Sequence, residues 1–314
     1  MVAKVFIDGE AGTTGLVIRD MLGARADVEI VSIASDKRKD NDAKKELMAG
    51  VDVVVLCLPD DAAKTAVALM DDMGEAAPRV LDASTAHRVA AGWDYGFAEL
   101  EAGQAGKIAA AKRVANPGCY ATGAIALLRP LVDAGILPPD FPLTINAVSG
   151  YSGGGKSMIA AYEKREAPDF ELYALGLEHK HMAEIQRYSR LDRRALFVPS
   201  VADFRQGMLV SIPLHLELLP GAPTADVLEE ALRARYGENG CVRVVGVTKD
   251  GGKLEPQALN DTNRMELRVF GNRERRQAVL VARLDNLGKG ASGAAVQNLE
   301  LMLGLAARTP AATR

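Results

Sequence analysis

The chain has few cysteines, no long apolar run and almost no net charge. Three cysteines among 314 residues exclude a disulfide scaffold and are typical of free thiols in a reducing cytoplasm. We expect no signal peptide, because the first eight residues are typical of a strand rather than of a basic segment with an apolar core. The longest apolar run, residues 53–58, is too short to cross a bilayer. A net charge of −3 argues against nucleic acid or a membrane surface as partner.

The first third of the chain alternates apolar runs with segments of helical periodicity. Its length of 314 residues, at about 150 residues per domain, predicts two domains. Apolar runs at residues 2–8, 28–34, 51–58 and 79–83 predict strands, and residues 62–73 predict a helix. The run 51–58 lacks polar alternation, which is typical of a strand buried on both faces. This order predicts an α/β domain of the Rossmann type with a doubly wound parallel sheet.

The pattern changes after residue 119. A long apolar helix is expected first, and one further helix follows Thr224, a good N-cap residue. Strand-like runs lie at residues 143–148, 208–218, 242–247, 265–270 and 278–285. These predict an α+β catalytic domain with a mixed or antiparallel sheet. We expect residues 1–118 to form a cofactor-binding domain, joined by the C-terminal helix within residues 287–314, and residues 119–286 to form the catalytic, substrate and oligomerisation domain.

Three glycines lie between the first strand and the first helix. Gly9, Gly12 and Gly15, with Thr13 and Thr14 among them, let the backbone approach a pyrophosphate at the helix N-terminus. The spacing GxxGxxG is less specific than GxGxxG, so a tight turn without a ligand is the alternative interpretation. The strand–loop–helix context favours a dinucleotide.

The second strand is followed by a hydroxyl and two cations. Ser35, Lys37 and Arg38 suit the 2′-phosphate of NADP, whereas Asp36 keeps NAD as an alternative, because NAD sites usually place a carboxylate there. The sequence therefore favours NADP, with a solvated surface turn as the remaining interpretation.

One cysteine differs from the other two in its surroundings. A Pro-Gly pair directly precedes Cys119 and an apolar helix follows it, so its thiol is expected at a helix N-terminus, where the dipole lowers a thiol pKa. Cys57, inside an apolar run, and Cys241, at the head of a strand, are typical packing residues. Cys119 is the candidate nucleophile.

Two of the four histidines are close together. In a helix the side chains of His179 and His181 diverge by about 200°, so only one of them is expected to reach the thiolate. A metal site is the competing interpretation, but no third ligand is evident and the cysteines lack ligand spacing. We expect no metal. His87 and His215 suit ordinary surface or packing roles.

Several stretches together resemble N-acetyl-gamma-glutamyl-phosphate reductases of the shorter type. They are the glycine loop, Asn-Pro-Gly-Cys-Tyr-Ala-Thr at 116–122, Ser-Gly-Tyr-Ser-Gly-Gly-Gly-Lys at 149–156, His-Lys-His-Met-Ala-Glu-Ile at 179–185 and Asn-Leu-Gly-Lys-Gly-Ala-Ser-Gly at 286–293. The Pro-Gly-Cys-Tyr-Ala-Thr core is highly specific, whereas the glycine loop alone is not. A wider kinship with aspartate-semialdehyde and glyceraldehyde-phosphate dehydrogenases is implied.

The resemblance implies reduction of an acyl phosphate by NADPH in arginine biosynthesis. Cys119 would displace phosphate and form a thioester, hydride would yield N-acetylglutamate 5-semialdehyde, and His179 or His181 would act as acid and base. A reductase of aspartyl phosphate or of an acylated aminoadipyl phosphate is the related alternative. A non-catalytic NADP-sensing protein is the alternative of another class. A homo-oligomer, dimer or tetramer, is expected.

Binding the substrate's phosphate and carboxylate also requires cations and hydrogen-bond donors. The resemblance to the semialdehyde dehydrogenases, in which a similar Ser…Arg segment and an Asn hold phosphate, implies Ser84, Arg88 and Asn116 as ligands. A surface arginine and a turn-forming asparagine are the alternative interpretations of Arg88 and Asn116. Ser149, Gly150 and Lys156 are the further candidates. Residues 149–156 are too glycine-rich for a regular element, so we expect a substrate or nicotinamide cradle, with a flexible hairpin as the alternative. The resemblance places Asn286 and Gly290 near the nicotinamide.

Overall fold

The computed structural model describes residues 2–38, 40–238, 240–246 and 252–307 and divides into two compact units. Unit 1 comprises residues 2–98, 102–117 and 291–307, and unit 2 comprises residues 99–101 and 118–290 within the described ranges. The end of the predicted segment 287–314, from residue 308, and Val247 of the predicted strand 242–247 lie outside the described residues. Across the described ranges, no helix has the length and apolar character needed to cross a membrane. The division into a cofactor domain and a catalytic domain stays a prediction.

Unit 1 is built on a six-stranded sheet with the order β2-β1-β3-β4-β6-β5. Its strands are β1 (Ala3–Asp8), β2 (Val28–Val31), β3 (Val53–Leu56), β4 (Arg79–Asp82), β5 (Asp94–Tyr95) and β6 (Arg113–Ala115). Its helices are α1 (Thr13–Gly23), α2 (Asn41–Ala49), α3 (Asp60–Asp71), α4 (Gln104–Ala110) and α9 (Gly293–Leu303), the last described helix of the chain. Every strand pair is parallel, which confirms the predicted α/β class.

The sheet of unit 1 is covered on both faces. Val5 and Ile7 of β1 join one core cluster with residues of α1, α4 and α9, whereas Phe6 points into a second cluster with residues of α2 and α3. All four residues of β3 are buried, as the absence of polar alternation predicts. The strand order changes direction between β1 and β3, and ligands bind at such a switch point in open α/β sheets. The loop after β1 is therefore well placed for a ligand.

Unit 2 contains a seven-stranded mixed sheet with the order β11-β12-β13-β10-β7-β9-β8. Its strands are β7 (Thr144–Gly150), β8 (Phe170–Leu172), β9 (Leu196–Ala202), β10 (Met208–His215), β11 (Val242–Val245), β12 (Met265–Asn272) and β13 (Gln277–Leu284). Its helices are α5 (Cys119–Asp133), α6 (Gly155–Glu163), α7 (Met182–Tyr188) and α8 (Ala225–Arg235). Helices α5 and α8 pack on the sheet through β10, β12 and β13. The α+β prediction for this half is confirmed.

The glycine-rich stretch 149–156 departs from its prediction. Ser149 and Gly150 close β7, a 3₁₀ turn covers Tyr151–Gly154, and α6 begins at Gly155. The prediction of an irregular segment was wrong, because the backbone amides here find partners in a distant loop: Tyr151 N–H donates to the carbonyl of Phe204 at 3.0 Å. Thr224 precedes α8 as expected, but its hydroxyl makes no capping hydrogen bond.

Candidate active site

The glycine loop of unit 1 is a tight connection between β1 and α1. Gly9 has a φ of +93°, and a Cβ there would collide with the carbonyl oxygen of Cys57. A Cβ on Gly15 would lie 2.5 Å from the carbonyl oxygen of Gly9. The N-cap of α1 is Gly12, which has no side chain to occupy the first N–H groups of the helix, where Thr13 and Thr14 follow. These features fit a bound pyrophosphate.

The cations predicted for the cofactor lie at the end of β2. A short 3₁₀ turn begins at Ser35 and ends at Lys37, and Arg38 follows it. All three side chains are exposed. Arg38 Nη2 donates to Oε1 of Glu10 at 3.1 Å. Sequence reasoning missed Glu10, since its place in the glycine loop carries no sign that its side chain reaches the end of β2.

Three substrate candidates lie together in unit 1, at the carboxyl ends of β4 and β6. Ser84 Oγ donates to Asp82 at 2.7 Å, and Arg88 Nε donates to the carbonyl oxygen of Asn116 at 3.0 Å. The amide of Asn116 donates to the carbonyl oxygen of Ala291 at 3.0 Å. These groups already make hydrogen bonds within the protein, so their role toward substrate stays a prediction.

Cys119 is the first residue of α5, which confirms its predicted place at a helix N-terminus. Its side chain is partly exposed, and the N-cap residue Gly118 has an extended backbone without a capping side chain. The N–H of Gly118 donates to Oε2 of Glu184 at 3.1 Å, and Glu184 is buried. This carboxylate, which sequence reasoning missed, fixes the residue that precedes Cys119.

The two histidines of the His-Lys-His run lie on the same side of the chain. Their ring centroids are 4.6 Å apart, and each lies 5.8 Å from the ring of Tyr120, the residue after Cys119. The expectation that the rings diverge was wrong, because the run forms a turn before α7 in which His181 N–H donates to Nδ1 of His179 at 3.1 Å. Both rings therefore lie beside the start of α5.

The hydrogen bond between the histidines fixes the tautomer of one ring. A backbone N–H is always a donor, so Nδ1 of His179 must be the acceptor, and the neutral ring carries its proton on Nε2. His181 is buried, whereas His179 is partly exposed. The ring of His179 can thus offer a proton to a ligand from Nε2. The distance from either ring to the thiol stays a prediction.

Two tyrosines complete the surroundings of Cys119. Tyr173 Oη donates to Oη of Tyr120 at 3.2 Å, and Tyr120 donates to the carbonyl oxygen of Ser200 at 2.9 Å. Burial raises the pKa of Tyr173 to about 12 and raises that of Tyr120 further. Both hydroxyls are therefore neutral donors at physiological pH. Tyr120 lies in the motif that singled out Cys119, but its position 53 residues from Tyr173 left no local signal for the pair.

Of the remaining predicted residues of unit 2, three are buried close together and one is exposed. Asn286 accepts from the N–H of Gly207 at 2.8 Å and donates to Ser152 Oγ at 2.9 Å, so it joins the loops around the buried Ser149 and Gly150. Lys156 is exposed on α6. Asn286 therefore connects these loops, and a direct contact of either residue with a ligand stays a prediction.

Gly290 lies directly against Cys119. A Cβ at this position would lie 2.9 Å from Cβ of Cys119 and 3.0 Å from the carbonyl oxygen of Asp285. The glycine belongs to a single π-helical turn, Gly288–Ser292, a feature found often at functional sites. Its neighbour Lys289 is 1% exposed and forms an ion pair with Glu99 at 2.8 Å. This ion pair anchors the turn that packs on Cys119.

Two other histidines and the other cysteines have ordinary environments. His87 stacks on Trp93 with ring centroids 4.3 Å apart, and His215 is exposed. Cys57 is partly buried, and desolvation together with the carboxylate of Asp82 raises its pKa to about 12. In the part of the chain that the structure describes, no group of three or more His, Cys, Asp or Glu side chains is arranged to hold a metal ion.

Comparison with known proteins gives consistent relatives across the chain. The family profile described as semialdehyde dehydrogenase, dimerisation domain, matches residues 119–286. The N-acetyl-gamma-glutamyl-phosphate reductase of Chelativorans sp. (strain BNC1) is 52% identical over 309 residues, which cover 96% of this chain and 99% of that protein. The enzyme of the same name from Brucella ovis is 50% identical, and the matched region covers 97% of this chain and 100% of that protein.

The fold has solved relatives at much lower identity. The aspartate semialdehyde dehydrogenase II of Vibrio cholerae, complexed with ASA, gives a TM-score of 0.72 at 15% identity, covering 97% of this chain and 99% of that one. The aspartate semialdehyde dehydrogenase of Candida albicans with NADP gives a TM-score of 0.69 at 16% identity, and the match covers 96% of this chain and 99% of that one. These likenesses show the fold.

Proposed function

Because the chain belongs to the N-acetyl-gamma-glutamyl-phosphate reductase family, we propose that it reduces N-acetyl-gamma-glutamyl phosphate to N-acetylglutamate 5-semialdehyde. The reductant is NADPH, and phosphate is released. The observation that carries this proposal is the placement of Cys119 as the first residue of α5, against the glycine turn at Gly290, with two histidine rings beside the next residue, Tyr120.

The first chemical step belongs to the thiolate of Cys119. Its sulfur attacks the acyl carbon, an S–C bond forms, the bond from carbon to the phosphate oxygen breaks, and phosphate leaves with that electron pair. The N-terminus of α5 stabilises the thiolate through its dipole and its uncapped N–H groups. The product of this half-reaction is a thioester on Cys119.

Unit 1 is proposed to hold the cofactor through the glycine loop and the cations at the end of β2. Bound NADPH supplies the hydride that reduces the thioester. On the protein side, the proposal assigns the Nε2–H of His179 to the carbonyl oxygen, where negative charge develops and where a proton donor lowers the barrier. The hydrogen bond at Nδ1, which leaves the proton of the neutral ring on Nε2, supports this role. Collapse of the tetrahedral species then breaks the S–C bond, returns its electron pair to the sulfur of Cys119, gives the proton of the oxygen back to Nε2 of His179, and releases the aldehyde.

The reverse reaction gives a direct test. Purified protein with N-acetylglutamate semialdehyde and NADP⁺ should form NADPH beyond a single equivalent per active site only when phosphate is present, because phosphate must release the acyl group from Cys119 before the next turnover. Arsenate should replace phosphate. Aspartate semialdehyde is the comparison substrate, and faster turnover of it would overturn the assignment in favour of a related acyl phosphate. Binding of NADP⁺ without turnover of any semialdehyde would favour the non-catalytic sensor.

Enlarging Gly290 is expected to impair catalysis without unfolding the chain. In Gly290→Ala the new methyl group would crowd Cβ of Cys119, so the thiol must move. A displacement of about 1 Å at a reacting group can cost about 100-fold, and we expect kcat to fall by about that factor. Gly237→Ala, whose Cβ meets nothing within 4 Å, is the matched control and should keep wild-type kcat. Equal kcat in both variants would contradict the contact.

The seven-stranded sheet also offers a surface for self-association. Helices cover one face, while the other exposes a largely apolar groove that includes Val198, Leu209 and Val279 and continues to the exposed Phe170 and Leu172 at the edge. Exposed apolar patches of this kind mark protein interfaces. We propose that two copies of the chain pair through this face.

We also propose that the protein acts in the cytoplasm, where a reducing environment keeps its three free thiols stable.

A charge in the groove tests this surface. Leu209→Glu should convert a dimer into a monomer in light-scattering measurements, because pairing would bury an uncompensated carboxylate. Leu218→Glu is the control, since Leu218 is 64% exposed and lies outside the groove. If both variants keep the wild-type mass, the groove is not the interface.

A further inference from the structure

Glu10 links the glycine loop to the end of β2. Its Oε1 accepts from Arg38 Nη2 at 3.1 Å, and its Oε2 accepts from Ser32 Oγ at 2.8 Å and from Arg19 Nη1 at 3.3 Å. Only 8% of the residue is exposed, although it lies in a surface loop. Both carboxylate oxygens are therefore engaged by protein donors from three separate segments.

This arrangement differs from that of an NAD site. There, a carboxylate near the end of the second strand accepts hydrogen bonds from the ribose hydroxyls. The Glu10 carboxylate reaches the same end of β2 through Ser32, but its oxygens already accept from one hydroxyl and two guanidinium groups. Its negative charge thus supports two cations, and the net charge of this group of side chains is positive.

Arg38 is held at one nitrogen and open at the others. Its side chain is 47% exposed. Among the described residues, none accepts a hydrogen bond from Nε or Nη1 of Arg38, so these N–H groups are available to a ligand while Nη2 is tethered. A guanidinium held in this way has lost much of its rotamer freedom before binding, and it matches the oxygens of a phosphate.

We propose that Glu10 is a positioning residue for cofactor choice, which holds Arg38 ready for the 2′-phosphate of NADP(H). The inference rests on the proposed function, since it assumes that the glycine loop binds a dinucleotide. Because Glu10 belongs to that loop, the same residue connects the pyrophosphate and 2′-phosphate parts of the site. Lys37, exposed beside Arg38, adds positive charge without a tether.

Binding measurements on the full chain test this role without relying on turnover. In Glu10→Gln, the Kd for NADP⁺ and for 2′,5′-ADP should rise about tenfold, because the amide keeps the size of the side chain but loses the charge-assisted bond to Arg38. The Kd for NAD⁺ should change by less than about twofold, since NAD⁺ lacks the 2′-phosphate. Asp20→Asn, an exposed position next to Arg19, is the control for charge alone and should leave both values unchanged.

A second variant separates positioning from loop folding. In Arg38→Met the preference for NADP⁺ should be lost, and adding Glu10→Gln should then have no further effect on it. Equal weakening of NADP⁺ and NAD⁺ by Glu10→Gln would overturn the proposal in favour of loop integrity. Tighter binding of NADP⁺ by Glu10→Gln would show that the Glu10 carboxylate repels the 2′-phosphate. Weaker binding of NAD⁺ alone would show that Glu10 contacts the ribose. Either result would overturn the proposal. Wild-type protein that binds no dinucleotide would refute the proposed function itself.

Discussion

The Cys119→Ser variant is expected to lose at least about 1,000-fold in kcat for the reductase reaction, because removing a nucleophile removes the covalent route entirely. A serine hydroxyl has the same position at the start of α5, but the helix dipole cannot ionise it near neutral pH. Substrate and cofactor should still bind. We therefore expect a collapse of kcat with little change in the Kd for NADP⁺, measured by steady-state kinetics and by binding titration.

A matched cysteine gives the control. Cys241→Ser removes a partly exposed thiol of the same unit, whose sulfur accepts a hydrogen bond from Asn263, and should keep kcat within about twofold. Retention of more than about a tenth of wild-type kcat in Cys119→Ser would refute the thioester mechanism.

Alkylation gives an independent readout on the wild-type chain. Burial raises the pKa of Cys57 to about 12. At about pH 8 only about 10⁻⁴ of this thiol is ionised, so it should resist iodoacetamide. Cys119, at the helix N-terminus, should be labelled first, and its labelling should abolish activity. Loss of activity that follows modification of Cys57 instead would contradict the assignment.

The fold was predictable where local pattern and burial agree. The strands of unit 1 could be predicted because apolar runs such as β3, whose four residues are all buried, stand out between helical segments. In unit 2, β9 escaped prediction because it contains Pro199, and proline usually argues against a strand. It is tolerated because the pairing of β9 with β8 covers only Ser200–Ala202, so no β8 residue requires an N–H from Pro199, whose carbonyl oxygen still accepts from the N–H of Tyr173 at 3.2 Å.

The site was predictable only where its chemistry is local. Cys119 could be found because the turn and the helix that define its environment are its own neighbours in sequence. Glu184 and Lys289 could not be found in this way, since their partners lie 66 and 190 residues away. Such contacts leave no periodicity or spacing in the chain. Glu10 was overlooked for the same reason, although the loop around it was recognised.

The two histidines, which the sequence could not rank, are expected to differ strongly in their effect. His179→Asn should lower kcat by about 10²–10⁴-fold, as expected when a positioned proton donor is lost. Asparagine keeps an acceptor, Oδ1, near the place of Nδ1, so the hydrogen bond from His181 N–H and the turn before α7 should survive. What disappears is the Nε2–H group that we assign to the carbonyl oxygen.

Conservative replacements distinguish this role from a structural one. His179→Gln places an amide N–H near the position of Nε2 and should recover part of the activity lost in His179→Asn, with KM little changed in both variants. His181→Asn is the comparison, because its ring is buried and its backbone N–H, which orients His179, remains. We expect that variant to lose less than about tenfold in kcat. A larger loss of kcat in His181→Asn than in His179→Asn would mean that His181 is the proton donor. The proton on Nε2 of His179 would then play no part in the reaction.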